Sequence, residues 1–361
     1  MAAPTTPASH GTVTVVLAAH GEAETAGFLE NFMVGHRTLG HVSEVVALPA
    51  PVRWAICLLA AARKRLGGGT GSPHNALTRR QAQALEAQLA AGAGAIPCQV
   101  VPAFGSSLPL LEDVVAEMAT GSLTVVVSMT PIDSRLACGR LCHELAAHAV
   151  DAAGPGLAGG VGAAGQVRVL ARLWEDRAFV AVNVDHVFTQ LELPENSERC
   201  ALVLVMHGTL VRDTRGQTPD FHTGMAEATA YAGRLREAFA TDPRSPFTRI
   251  EVAHLNHDVG GEWTRPTLQE VLQRLAGEGV DAVAAYPCEY LVEGSDTVGK
   301  VADALAASPI RRTQRLACLN DAPAFIDFLA QRVLALAGPD ADIAARRCDA
   351  CPLGRDRKAG G

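Results

Sequence analysis

LVLVMHGTLVR, residues 202–212, reads as a buried strand that ends on an imidazole. Residues 202–206 are apolar without a break, and His207 follows at once. Gly208 then lets the chain turn sharply where a side chain would obstruct it. A weaker copy, VVLAAHGE at 15–22, ends the same way on His20 and Gly21. Two strand ends of one design suggest two similar lobes that face each other.

Working outward, short β-rich runs alternate with amphipathic patterns along the whole chain. Residues 12–18, 99–104, 123–128, 167–170, 201–206, 250–253, 282–286 and 315–318 read as strands, and 81–91, 108–118, 226–239, 268–276 and 324–336 as helices. Such βαβα alternation predicts an α/β protein whose parallel sheets are flanked by helices on both faces. AAGPGLAGGVGAAG, 152–165, cannot pack much and reads as a linker near mid-chain. The expected organisation is a loose N-terminal tail, 1–11; a Rossmann-like lobe, 12–165; a second Rossmann-like lobe with the main catalytic residues, 166–340; and a C-terminal tail, 341–361, carrying a CxxC. In open parallel sheets ligands sit beyond the carboxyl ends of the strands, so the two His-Gly pairs would flank a cleft.

Composition narrows the partners. With 48% hydrophobic and 19% charged residues, the 361-residue chain suits a well-buried soluble protein of two lobes or one large domain. A net charge of −7 with no long basic run argues against nucleic acid. The opening MAAPTTPASHG reads as neither signal nor anchor, and the longest apolar run, 55–62, is too short to cross a bilayer, which takes ~20 residues. Nine cysteines without an export signal predict reduced thiols in the cytoplasm.

Three stretches carry candidate chemistry. A neutral imidazole at His207 could bind a metal or accept a proton, or it could cap a loop. In PCEYLVEGSDTVGKV, 287–301, Glu289, Glu293 and Asp296 would form an acidic wall beside a strand-end histidine, while Ser295 or Asp296 also suits a plain helix cap. In HLNHDVGGEWTRPT, 254–267, Trp263 could stack on a flat apolar ligand or serve as local core.

The order of GSPHNALTRRQAQAL (71–85), VMHGTLVRDTRGQTPDF (205–221), the Gly-Gly-Glu-Trp-Thr-Arg-Pro loop, PCEYLVEGSDTVGKV and CLND (318–321) resembles the ferrochelatase family. That family inserts ferrous iron into a porphyrin, and the resemblance spans roughly 13–337. It implies a chelatase-like fold with the family's invariant histidine at His207, its helix-start glutamate at Asp296 and the preceding aspartate at Glu293. The family's aromatic after the strand-end proline falls on Tyr290, and its porphyrin-facing GSP on Gly71, Ser72 and Pro73. His207 and Asp296 are thus the expected catalytic pair. His20, His207, Glu293 and Asp296 are the expected metal contacts, and Ser72, Pro73, Trp263 and Tyr290 the expected porphyrin contacts.

The departures mark a divergent member. Asp296 is one methylene shorter than the family's glutamate, which draws the carboxylate back by ~1.5 Å. Glu289 stands where a small or apolar residue is usual, Leu210 replaces a proline, and His20 occupies a position where some members aim a side chain at the metal. Some members also hold a [2Fe-2S] cluster; here Cys138 and Cys142, one helical turn apart, with Cys348 and Cys351 would supply four thiolates. Zinc on the same four, or two core cysteines plus an exposed pair, are the competing readings.

The function expected from the resemblance is insertion of ferrous iron into protoporphyrin IX or coproporphyrin III, with haem as product in the former case. The alternatives are a cobalt or nickel chelatase acting on a sirohydrochlorin-type ring, and a haem-binding protein that has lost activity. Residues 47–66, half apolar with Arg53, Arg63, Lys64 and Arg65, allow peripheral membrane contact and no more. Oligomeric state is left open.

Overall fold

A computed structural model describes residues 12–43, 48–91, 96–117, 123–147, 152–153, 167–192, 199–257 and 260–338. The two tails with Cys348 and Cys351, Ala47, and most of the expected linker lie outside the described residues. The first sheet contains β1 (Val13–Ala19), β2 (Cys98–Phe104), β3 (Thr124–Ser128), β4 (Ala152–Ala153) and β5 (Val167–Leu170), all parallel, in the order β2-β1-β3-β5-β4. The second contains β6 (Cys200–His207), β8 (Arg249–Leu255), β10 (Ala282–Tyr286) and β11 (Arg312–Arg315), also parallel, in the order β11-β10-β6-β8. A short antiparallel pair, β7 (Leu210–Arg212) with β9 (Glu262–Trp263), sits beside it.

Each sheet is built on one plan. Its first strand is central, the next main strand lies on one side, and the following one crosses to the other side. The crevice of a doubly wound sheet opens where the winding reverses, at the carboxyl end of that central strand. β1 and β6 are the two central strands, so His20 and His207 occupy the reversal point of their respective sheets. This is why the chain ends two strands in His-Gly.

The expected α/β architecture of two similar lobes is what the structure shows, with one correction to the boundary. β5 pairs with β3 in register Thr124↔Val167, so a division at 165/166 would cut a strand from the first sheet. Ala152 and Ala153 also pair with β5, adding an edge strand where a linker was expected. The last strand is shifted as well, covering 312–315 rather than 315–318, because Arg312 takes the register position beside Ala282.

Alternation along the central strands explains the layering. Val15 and Leu17 of β1, with Leu202, Leu204 and Met206 of β6, face one shared core. Between the sheets that core is filled by α3 (His74–Ala91), α6 (Arg177–Gln190), α7 (Met225–Thr241) and α10 (Pro323–Ala337). The opposite faces are covered separately. Val16 and Ala18 pack with α4 (Leu111–Ala116) and α5 (Cys138–Ala147), whereas Val203 and Val205 pack with α8 (Leu268–Gly277) and α9 (Ala302–Ala306). Phe179 stacks on Tyr231 at 5.9 Å and packs against Phe325 and Phe328, so the scarce aromatics concentrate where the lobes join. Each such pair contributes ~0.5–1.5 kcal/mol beyond its buried area.

Two helices that the sequence patterns did not predict, α1 (Phe28–Val42) and α2 (Ala50–Leu66), pack on each other in front of β1. Leu29, Met33, Trp54, Leu59 and Leu66 are exposed on them. Among the described residues, no helix is long and apolar enough to cross a membrane.

Candidate metal centre

His207 is the last residue of β6, and β8 runs beside it in parallel register His207↔Leu255. The backbones come close here. Gly208 N donates to Leu255 O at 2.8 Å, and a Cβ on Gly208 would lie 2.2 Å from Asn256 Oδ1 and 2.6 Å from Leu255 O. Only glycine fits. His257, two residues past the register partner of His207, turns back, and the two Nε2 atoms lie 2.8 Å apart. The strand on the other side of β6 is β10, followed by a loop and a wide, π-type turn of helix, Asp296–Val301, that begins on Asp296. One ligand-capable atom each from His207, His257 and Asp296 lies within 4.8 Å of the others.

These three groups differ in charge state. Burial, reinforced by His257, pushes His207 down to about 3, with Asp296 opposing, and burial lowers His257 in the same sense. Two imidazoles so close cannot both carry charge. Both are therefore neutral near pH 7, and across the 2.8 Å contact one nitrogen donates its proton while the other offers its lone pair. Burial pushes the Asp296 carboxyl up, but the ammonium of Lys300 at 2.9 Å outweighs it and holds it below its usual value. Two neutral imidazoles and one carboxylate are a donor set suited to a first-row divalent metal.

The surroundings fix this geometry. Glu289 accepts the His207 backbone N–H at 3.0 Å, and burial pushes its carboxyl up to about 8. The Tyr290 ring lies 6.0 Å from His207, and its buried hydroxyl has no hydrogen-bond partner among the described residues. Trp263 presents its edge to His257 at 5.4 Å and donates from Nε1 to Gly260 O. Trp263 and Tyr290, both expected at a flat ligand, thus flank the histidine pair.

The first lobe reaches across through Glu22. Its carboxylate accepts both the Ser295 N–H, at 2.9 Å, and the Ser295 hydroxyl, immediately before Asp296. Burial raises the Glu22 carboxyl, yet His74, Ser295 and Ser72 together hold it below its usual value. Asn75, on the first turn of α3, grips the same loop by accepting from Glu22 N and donating to Glu22 O. Ser72 is buried there, with its N–H on Ala23 O, and Pro73 adjoins the start of α3. The GSP segment therefore positions the β1-end loop. His20 is exposed and lines, with Glu22, Asn31, Lys64 and Ser295, a cross-lobe cavity of about 190 Å³. It is not part of the three-residue group, although its charge would lower both His207 and His257 slightly. A larger cavity, about 470 Å³, lies behind Met206 against α7 and does not touch the three ligands.

One expectation is corrected. Glu293 does not face the metal group: it is buried, pairs with Arg315 and accepts from Cys318 N at 3.3 Å. A carboxylate neutralised by a guanidinium is held as structure. Cys138 and Cys142 are buried on α5 among Val16, Val126, Leu141 and Val169, and the other two thiols of the expected cluster, Cys348 and Cys351, lie outside the described residues. Among the described residues no third metal-ligating group joins them.

Conversely, His257, Glu22 and Lys300 were not among the expected site residues, whereas Glu289 of the expected acidic wall does stand beside His207. His257 lies past the expected strand at 250–253, and the parallel register of β8 with β6 is what sets it beside His207. A second group, Asp133, His222 and Glu227, is also close enough together to hold a metal. Asp133 there already accepts from Arg172 at 2.6 Å and from Trp174 Nε1 at 2.8 Å, so its charge is matched without an ion.

The fold and centre define a two-lobed, doubly wound α/β protein with a His-His-carboxylate group at the reversal point of its second sheet. The chain belongs to the ferrochelatase family, whose model matches residues 12–336. It is 35% identical over 104 residues to coproporphyrin III ferrochelatase of Propionibacterium freudenreichii subsp. freudenreichii, covering 26% of this chain and 30% of that protein. It is 34% identical over 77 residues to ferrochelatase of Synechocystis sp., covering 20% of each. The chain thus spans less than a third of either curated relative it matches.

Among solved structures it is similar to DR2241 from Deinococcus radiodurans, a multi-domain protein with structural similarity to chelatases: TM-score 0.48, 18% identity, 91% of this chain and 55% of that one. It is also similar to CbiX, the terminal enzyme of siroheme biosynthesis in denitrifying bacteria, with TM-score 0.47, 13% identity and 89% and 98% coverage. SirB from Bacillus subtilis, solved with Fe3+, has TM-score 0.44 at 13% identity, covering 91% of this chain and 96% of SirB.

Proposed function

We propose that this protein inserts ferrous iron into a porphyrin, protoporphyrin or coproporphyrin, at the carboxyl end of β6. The observation that carries the reading is the convergence of His207, His257 and Asp296 from three neighbouring elements. Iron is the substrate. It must lose water while two ring N–H protons leave, so the site needs donors that replace water and groups that take protons.

Neutral His207 and His257 offer lone pairs at neutral pH, and Asp296 supplies the compensating charge. With its proton affinity depressed by burial, His207 acts first as a metal-handling imidazole. The proton that lies between the two histidines gives the pair a route for passing ring protons outward. Trp263 and Tyr290 would bear on the ring. His20, on the first-lobe side of the cross-lobe cavity, would approach the opposite face of the ring.

The family membership and the match to a coproporphyrin III ferrochelatase support the porphyrin reading. The second imidazole, His257, favours one further reading, cobalt or nickel insertion into a sirohydrochlorin-type ring. Anaerobic incubation of the protein with each ring and each metal, followed by visible absorption, separates the two. Metallated porphyrin with iron is expected; product only from the sirohydrochlorin-type ring would replace the proposal. The exposed apolar side chains of α1 and α2, with Arg63, Lys64 and Arg65, support peripheral membrane contact, which sedimentation with anionic vesicles would test.

A further inference from the structure

Lys300 lies one turn after Asp296 on the π-type helical turn, and its ammonium is 2.9 Å from Asp296 Oδ1. The same ammonium is 3.4 Å from Asn256 O, the carbonyl immediately before His257. It therefore touches one of the three ligands and the backbone anchor of a second. Its side chain is 44% exposed, against 22% for Asp296, so the lysine can swing into water while the carboxylate stays behind. Such half-exposed pairs are weak and readily replaced.

From this geometry we propose that Lys300 is a placeholder cation, which occupies the Asp296 carboxylate when the site holds no metal and is displaced when a divalent ion arrives. The inference rests on the reading of His207, His257 and Asp296 as the metal centre. Its chemical sense follows from the charge balance of insertion. The metal enters as a dication and leaves inside the ring, and two ring protons are released in exchange. Without an internal cation the departing metal would leave a partly buried carboxylate uncompensated, which opposes release. Lys300 restores the pair as the metal goes, so the site binds its substrate metal loosely enough to hand it on. Lys300 is a positioning residue in this scheme, acting through Asp296 on the metal.

The test is the affinity of the metal-free full-length protein for Zn2+ alone, by calorimetry, in wild type, Lys300→Met, Lys300→Arg and His207→Ala. Lys300→Met is expected to bind at least threefold more tightly, a gain that general damage to the fold would not produce. Lys300→Arg should stay below that threshold because the charge is kept. Tightening of less than threefold in Lys300→Met, or weaker binding, overturns the inference. If that variant fails to fold, Lys300→Gln is held to the same threshold. The underlying reading fails separately, if His207→Ala binds Zn2+ as tightly as wild type.

Discussion

β1 and β6 hold the same place in two sheets of the same plan, and both run into His-Gly, yet among the described residues only the end of β6 gathers three groups close enough together to hold a metal. The difference lies in what the neighbouring strands deliver. Beside β6, β8 brings His257 and the segment after β10 brings Asp296. At the end of β1 the glycine serves a turn rather than a ligand. Gly21 adopts φ +82° and has no room for a Cβ beside Ser107 Oγ. The carboxylate that follows, Glu22, is spent on Ser295 across the lobes. One strand end thus gathers the candidate ligands, while its counterpart holds the helical turn that carries one of them. A topological reversal point supplies a location, and its neighbours decide what is done there.

The comparison can be broken most sharply at His207. His207→Ala should lower metal insertion by about a hundredfold or more, in line with the 10²–10⁴ typical of a group acting at the reacting atoms. Porphyrin binding, followed by fluorescence quenching, should survive. Residual insertion above half of wild type would place the chemistry elsewhere. Next comes the cross-lobe hold. Glu22→Gln keeps the shape but removes the charge from two hydrogen bonds, and should cost ~1–2 kcal/mol of stability in urea unfolding. Insertion should slow as well, because Ser295 positions Asp296. Unchanged stability would make the latch incidental.

A pH-dependent difference should distinguish the β6 end. Glu289 binds its proton more tightly folded, near 8, than at its ordinary 4.5, so its contribution is present below pH 4.5 and is lost as pH rises through 8. Glu289→Gln cannot ionise and should gain in Tm relative to wild type between pH 4.5 and 8. A constant difference across that range would deny the raised pKa. The smallest effect is expected at the β1 end, where His20→Ala should leave Zn2+ affinity within about twofold. It should change only the visible spectrum of the iron-loaded product complex. A loss as large as that at His207 would erase the distinction between the two strand ends.

Much of this was legible in the residues. Unbroken apolar runs such as 202–206 mark strands covered on both faces, and their alternation with amphipathic segments dictates parallel sheets. His207 was readable as a strand-end imidazole, and the family resemblance set Asp296, Trp263 and Tyr290 around the same ligand. Glu293 was misplaced because its sequence position beside Asp296 says nothing of Arg315, which reaches it from β11. His257 is hidden within its own segment, HLNHDVGGEW, since only the register of β8 with β6 sets it beside His207. The helices α1 and α2 are hard to read as core elements because so much of their apolar surface stays exposed. Glu22 and Lys300 carry charges that look like ordinary surface until the lobes are assembled.

The proposed metal position is the reversal point of the second sheet. Anomalous scattering from a crystal soaked in Zn2+ tests it most directly. A peak ~2.0–2.2 Å from an imidazole nitrogen of His207, one of His257 and an oxygen of Asp296 is expected. A peak on Asp133, His222 and Glu227 with none at His207 would contradict it.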